Sequence, residues 1–260
     1  MLDIGFGLYD RLAGTSVLPA VQWLDRNTVL QYNPELKSRG LEGGYCYYDV
    51  QMDDYLLGHW VAKQCLELGV KIHEKEKVMS VSRGGRLMLA NGTEQQFDRI
   101  LNIAGPWAEQ LLETSGIRSK YHLDLVRGSH LLVDRYCRHA LILEVPNESR
   151  IIFVLPWKGK MLIGTTEARQ QIETEVVCSE DEKQYLIKAY NHYYLRNLSI
   201  YDITETFAGL RPLISSRANP SKATREYAFQ QNKNLVTVFG GKWTTSRALA
   251  RKIISKYIEP

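Results

Sequence analysis

The stretch VTVFGGKWTTSRALARK, Val236 to Lys252, sets two glycines, a lysine and a pair of threonines between a short apolar run and a helical pattern. A strand ending on Gly240 and Gly241 at the mouth of a helix predicts a tight turn. It also predicts an anion seat, because the first amides of a helix are unpaired and carry partial positive charge. Three other segments offer groups of the same kind. RGSH carries Arg127 and His130, AGLRPL places Arg211 just after Gly209 with a proline fixing the turn, and TREY carries Arg225. Arg211, Arg225 and Lys242 suit one doubly charged phosphate, since guanidinium forks match phosphate oxygens in pairs. Each segment has a plainer reading beside this one. A surface arginine is solvated more often than it is functional, and a single histidine more often ties a turn to backbone than acts as a base.

The elements that must hold these residues follow from spacing. Leu57, Trp60, Val61, Cys65 and Leu68 repeat at helical intervals from Asp53 to Leu68, and Gly69 supplies the stop. VKIHEKEKVMSVSR reads as two short strands, and RLMLANGTEQQF as a hairpin around Asn91-Gly92. RILNIAGPWAEQLLE reads as a buried strand, a turn at Gly105-Pro106 and a helix. From Tyr121 the pattern becomes antiparallel strands: HLLVDR, RIIFVLPWKGKMLIGTTE and ITETFAGLRPLI. A helix with a serine cap and an acidic first turn, Ser179 to Asp181, lies among them. A hairpin and buried strand then lead to an amphipathic helix with Leu249, Ile253 and Tyr257 on one face. Two interleaved modules result. The first, about Leu41 to Ser119, is completed by Leu235 to Pro260, and a mostly β module lies between. Such interleaving predicts a ligand crevice where the modules meet.

Composition narrows the function classes. The 260 residues are 44% hydrophobic and 24% charged with a formal charge of +4, ordinary values for a globular chain. Lys and Arg are scattered, which argues against nucleic acid. Cys46, Cys65, Cys137 and Cys178 form no Cys-x-x-Cys pair, so neither metal ligation nor a disulfide framework is expected, and reduced thiols point to a cytoplasmic setting. No apolar run is long enough to span a bilayer, and the opening MLDIGFGLYDRLAG is not a secretory signal.

The segments NIAGPWAEQLL, LVRGSHLLV, RIIFVLPWKGKMLIGTTE, FAGLRPLI, ATREYAF and VFGGKWTTSRALA, in this order, resemble the flavin-dependent glycerol-3-phosphate dehydrogenases of the D-amino-acid-oxidase-like superfamily. The resemblance covers nearly the whole chain. It implies an α/β (α+β) fold in which a partial FAD-binding Rossmann-like domain interleaves with a mixed or antiparallel-sheet substrate domain. The implied division is 1–120 partial FAD-binding, 121–222 substrate-binding and 223–260 a returning strand and helix. It implies FAD contacts from the backbone at Val78, from Ala104, Gly105 and Trp107, from Gly209, and from Gly240, Gly241, Lys242, Trp243 and Thr244. His130 resembles the group that accepts the C2 hydroxyl proton. Arg211 and Arg225 resemble the substrate-anion ligands, with Lys242 and Thr244 beside them, and Lys242 joins Arg211 and His130 as a catalytic candidate.

The implied reaction oxidises sn-glycerol 3-phosphate to dihydroxyacetone phosphate, with hydride passing to FAD and electrons onward to quinone. A cytoplasmic location, peripheral association with the inner membrane in the full-length enzyme, and a homodimer are compatible with it. Two alternatives stay open: a flavin oxidase of an amine, an amino acid or glycerol 3-phosphate with oxygen, and a non-catalytic fragment that keeps only an anion site. The family opens with a strand and a Gly-x-Gly-x-x-Gly turn around the FAD pyrophosphate, and Gly5 and Gly7 lack its third glycine, so the chain resembles the family's central portion without its C-terminal extension. The pieces flanking the β module are expected to pack together and to leave an apolar face uncovered. The chain alone is expected to purify without stoichiometric FAD. An absorbance scan across the flavin bands checks this, and a stoichiometrically yellow preparation overturns it.

Overall fold

The computed structural model of the protein describes residues 18–216, 219–224 and 226–258, the side chains of 216 and 219–224 excepted. The chain begins with β1 (Gln22–Asp25), α1 (Arg26–Tyr32), β2 (Gly43–Cys46), α2 (Asp54–Glu67), β3 (Val78–Val81), β4 (Arg86–Leu89), β5 (Glu94–Gln96), β6 (Ile100–Asn102) and α3 (Ala108–Thr114). It continues through β7 (His122–Val133), β8 (Leu141–Glu144), β9 (Ile151–Trp157), β10 (Lys160–Gly164), β11 (Ala168–Arg169) and α4 (Glu180–Tyr193). It ends with β12 (Ile203–Ser216), β13 (Asn219–Thr224), β14 (Tyr227–Asn232), β15 (Leu235–Gly240) and α5 (Ser246–Tyr257).

Two compact units share this chain. One takes Met1–Asp53, Ser129–Thr166 and Cys178–Phe207, and the other takes Asp54–Gly128, Glu167–Val177 and Ala208–Pro260. These segments do not follow the expected 1–120, 121–222 and 223–260: Met1–Asp53 group with Ser129–Thr166, and Glu167–Val177 and Ala208 onward group with Asp54–Gly128. The chain changes unit inside β7 and inside β12, whose 12 and 14 residues are long enough to serve both.

In the first unit the later half of β7 pairs with β10, β10 with β9 and β9 with β8, all antiparallel. The β9–β10 hairpin turns at Lys158 and Gly159, whose φ values of 48° and 81° suit a two-residue turn that follows the strand twist. Its sheet buries Leu131, Val133, Ile152, Val154, Met161 and Ile163 against Leu186, Ile187 and Tyr190 of α4. The serine cap expected from sequence is a full capping box. The Ser179 hydroxyl accepts from the Glu182 amide, and the Glu182 side chain accepts from the Ser179 amide. The β1–α1–β2 segment has no counterpart in the sequence reading. Asp25 caps its helix, Oδ1 accepting from the Thr28 amide at 2.8 Å.

In the second unit β15 is the centre of a three-stranded sheet, antiparallel to β14 and parallel to β6. Its alternation divides two cores. Leu235 and Phe239 join Val81, Ile100, Leu112 and Leu123 on one side, while Val236 and Val238 pack with Ile253 and Tyr257 of α5 on the other. Val81 and Leu235 thus share one core, so the flanking pieces do pack together. The Asn91-Gly92 hairpin is present, with Gly92 at φ 82°.

Two expectations are corrected. Of the two strands read between residues 70 and 81, only β3 forms, because no described strand lies beside 70–77 to complete a ladder. The apolar stripe of α2 is not a buried face. None of its residues is buried, and Trp60 is 59% exposed. The uncovered apolar surface expected of the flanking pieces is found there. Gly69 does end this helix, at φ 84°, with the Val70 amide donating to the Cys65 carbonyl and the Gly69 amide to Leu66.

Cys137 lies buried in the first core with its Sγ 3.3 Å from the His139 carbonyl oxygen. Burial, aided by the nearby Glu35 carboxylate, pushes its thiol up to about 11. The folded value lies above the unfolded one, so this group's contribution to stability is complete below about pH 8.5 and fades as pH rises through about 11. At pH 8, iodoacetamide should modify Cys137 at least tenfold more slowly than the half-buried Cys46 and Cys65, with the rate climbing toward pH 11. Peptide mass mapping reads this, and equal rates at pH 8 contradict it.

Candidate functional site

Parallel strands leave a sheet at the same edge, and ligands of α/β sheets gather outside the carboxyl ends of such strands. The register Leu235↔Ile100 and Thr237↔Asn102 brings two turns to that edge. After β6 comes Ala104 and the 3₁₀ turn Gly105–Trp107. After β15 come Gly241, Lys242 and the 3₁₀ turn Trp243–Thr245.

The first turn is fixed by Asn102, which is 3% exposed. Its Nδ2 donates to the Ala108 carbonyl at 2.9 Å, and its Oδ1 accepts from the Ala104 amide at 3.3 Å. Gly105 follows at φ 57° with nothing within 4 Å of where a Cβ would stand, so its backbone is bare to an approaching group. Trp107 is half exposed.

The second turn is fixed by sterics. Gly240 has φ 68°, and a Cβ there would stand 2.4 Å from the Glu226 carbonyl oxygen and 3.0 Å from Ile214 of β12. The Gly241 amide donates to the same carbonyl. Lys242 is exposed and extended, and its carbonyl accepts from the Thr245 amide and hydroxyl. Trp243 donates from its indole nitrogen to the Asp54 carbonyl at 3.2 Å, which ties the turn to the start of α2. Thr244 is exposed. No side chain caps the amides at the start of the 3₁₀ turn or of α5. The uncapped turn starts and the bare backbone at Gly105 fit a cofactor laid against this edge.

Arg211, on β12 in the same unit, is partly buried and approaches Glu167, Nη1 to Oε1 3.7 Å. Gly209 on that strand faces open space. Val78, half-buried at the start of β3, packs against the core that holds Phe239. Arg225 lies outside the described residues, so the expected three-cation cluster is not seen as a whole. Arg211 is on β12 and Lys242 follows β15, strands of different sheets that approach where Ile214 comes close to Gly240.

His130 belongs to the first unit. Its ring stacks on Phe207, centroids 4.8 Å apart and planes 12° apart. On β10 the residue opposite it is Gly164, where a Cβ would come within 2.2 Å of the imidazole Cδ2. A glycine on one side and a flat aromatic on the other set the ring's place. Neither Gly164 nor Phe207 stood out in sequence, and neither did Glu167 or Asn102. Their partners are distant in the chain, and no local signal marks them.

A family model described as DAO, FAD dependent oxidoreductase, matches residues 6–255. The D-erythritol 1-phosphate dehydrogenase of Brucella abortus (strain 2308) is 34% identical over 97% of this chain and 53% of its own length. The aerobic glycerol-3-phosphate dehydrogenase of Staphylococcus aureus (strain MRSA252) is 30% identical over 97% of this chain and 48% of its own. The chain therefore spans about half the length of the curated relatives it matches. Among solved structures, the glycerol-3-phosphate dehydrogenase from Bacillus halodurans complexed with FAD superimposes with a TM-score of 0.76 at 26% identity, over 90% of this chain and 48% of that one.

The steric reading of the second turn is open to test. Gly240→Ala should cost about 1–3 kcal/mol or more in chemical denaturation, because it combines a left-handed φ with a backbone clash. Gly209→Ala, with nothing within 4 Å, should change stability little. Equal effects of the two would remove Gly240 from its assigned role.

Proposed function

We infer that this chain, which belongs to the FAD dependent oxidoreductase family, carries part of an enzyme that oxidises a secondary hydroxyl of a polyol phosphate, with sn-glycerol 3-phosphate as substrate and dihydroxyacetone phosphate as product. The observation that carries this reading is the pair of glycine turns, Gly105 and Gly240-Gly241, at the shared carboxyl edge of β6 and β15, with uncapped helical amides beside them. FAD is the family's cofactor, and when bound it supplies the two-electron acceptor for the substrate. Quinone is the proposed onward acceptor, as the resemblance implies.

The roles of the chain's own residues follow from their chemistry. The bare backbone at Gly105 and the exposed turn Lys242–Thr244 admit the planar cofactor, and the amides opening that turn favour negative charge there. Val78, Ala104 and Trp107 line its other parts. Arg211 offers a guanidinium fork to the phosphate, with Lys242, Thr244 and Arg225 as further anion ligands. Glu167 pairs with Arg211 until an anion competes for it. The His130 imidazole holds the proton released from the C2 hydroxyl.

A second substrate is favoured by a specific observation. The 34% identity to a D-erythritol 1-phosphate dehydrogenase exceeds the 30% to the glycerol-3-phosphate enzyme. Both names specify a polyol carrying one phosphate, so the phosphate reading of Arg211 holds for either.

In an enzyme extended to the length of its relatives, Arg211→Lys keeps the charge and loses the fork. The kcat/KM for glycerol 3-phosphate should fall at least tenfold, about 1.4 kcal/mol of transition-state stabilisation. The loss should shrink for plain glycerol, which has no phosphate to misplace. Arg251→Lys, on the exposed side of α5, is the control and should change little. Equal losses on both substrates would assign Arg211 to the fold or cofactor instead.

A further inference from the structure

Glu182 is a carboxylate only 7% exposed in the first unit, and the reading above leaves it unused. It sits at the third position of α4 and faces two ways. Oε2 accepts from the Ser179 amide and hydroxyl, each at 3.0 Å, which completes the cap. Oε1 accepts from the Ser129 hydroxyl at 2.9 Å and the Thr166 hydroxyl at 2.6 Å. Ser129 and Thr166 are 0% and 3% exposed, and they are joined twice more. The Ser129 amide donates to Thr166 Oγ1 at 2.9 Å, and the Thr166 amide donates to the Ser129 carbonyl at 3.3 Å. A capping box needs the cap-side oxygen alone, so the second oxygen has a different task.

We propose that Glu182 is a positioning residue for His130, clamping the middle of β7 and the residues just after β10 to α4 through Ser129 and Thr166. Ser129 precedes His130 on β7, and successive strand side chains point to opposite faces. Ser129 is therefore held on the helix side while His130 stands on the other face, opposite Gly164 and stacked on Phe207. Thr166 follows Gly164 by two residues, so the same carboxylate holds the stretch of β7 that carries His130 and the exit from β10 beside its glycine partner. Glu182 acts through backbone placement. The inference rests on the reading of His130 as the proton acceptor, where a displacement of about 1 Å costs on the order of a hundredfold in rate.

The test reads the His130 ring directly in the full chain, by NMR of histidine-labelled protein, with His130→Gln identifying the signal. The Phe207 face shields the imidazole protons, and Phe207→Leu calibrates that shielding. Glu182→Ala should remove at least half of it. Glu182→Gln should keep it, because the amide oxygen still accepts from the Ser179 amide and the amide nitrogen donates to the two hydroxyl oxygens. If Glu182→Ala lowers stability and leaves the His130 signal in place, Glu182 is only a cap and the proposal is overturned. If Glu182→Gln loses the shielding as fully as alanine does, geometric bracing is overturned. Should Glu182→Ala fail to fold, the isosteric Thr166→Val takes its place with the same expectation, and an unmoved His130 signal overturns the proposal. The proton-acceptor reading is judged separately, by His130→Gln turnover in the extended enzyme. Intact turnover there sinks that reading while the bracing stands.

Discussion

Ile100 to Asn102 lie parallel to Leu235 to Thr237, and the Asn102 and Thr237 side chains meet although 135 positions separate them in sequence. Parallel pairing is what sends both strands out at one edge, so that the turn after each opens toward the same space. An antiparallel register would have put the two glycine turns at opposite ends of the sheet. The same strand also organises the packing of its unit, because β15 buries Leu235 and Phe239 on one face and Val236 and Val238 on the other. Such a strand is held by cores on both faces, which lets its end carry glycines and exposed polar groups without losing its place.

The first unit solves a different problem. A carboxylate taken out of water costs several kcal/mol unless donors surround it. Glu182 meets that demand with the amide and hydroxyl of Ser179 and the hydroxyls of Ser129 and Thr166. Satisfied in this way, it joins a helix terminus to the middle of β7 and to the residues just after β10. Neighbouring apolar contacts between α4 and the sheet supply the bulk of the burial. They are tolerant of small shifts, whereas hydrogen bonds at fixed angles are not.

Arg211 is a partly buried cation beside a half-exposed carboxylate. Its carboxylate neighbour Glu167 is 45% exposed at the side chain, so their attraction is weakened by solvent and easily exchanged for a better-matched anion. A phosphate offers a guanidinium two parallel hydrogen bonds and more charge than a single carboxylate. The two curated relatives differ in the length of the polyol that their names specify, and both names carry one phosphate. Under the proposed function, the phosphate is the part of the substrate for which this chain's residues give the clearest account.

Much of the fold was legible because it is local. The Ser179 capping box, the Asn91-Gly92 hairpin, the Gly69 helix stop and the Leu249, Ile253 and Tyr257 stripe each depend on residues a few positions apart. The glycines at 105, 240 and 241 were legible too, since a strand followed by glycine and a helix constrains backbone whatever surrounds it. Residues 70–77 and the stripe of α2 were misread, because a strand needs a neighbour and an apolar face needs a cover, and neither is written in the segment itself. The β1–α1–β2 segment was passed over, with short elements and no long periodic run. By itself, the sequence determined which residues have the chemistry for an anion, a planar cofactor and a proton. Only the tertiary structure decided that Asn102 braces one turn, that Glu226 and Ile214 forbid a side chain at Gly240, that Glu167 holds Arg211, and that Gly164, Phe207 and Glu182 set His130. Those are contacts between segments far apart in sequence, made only when strands pair in register.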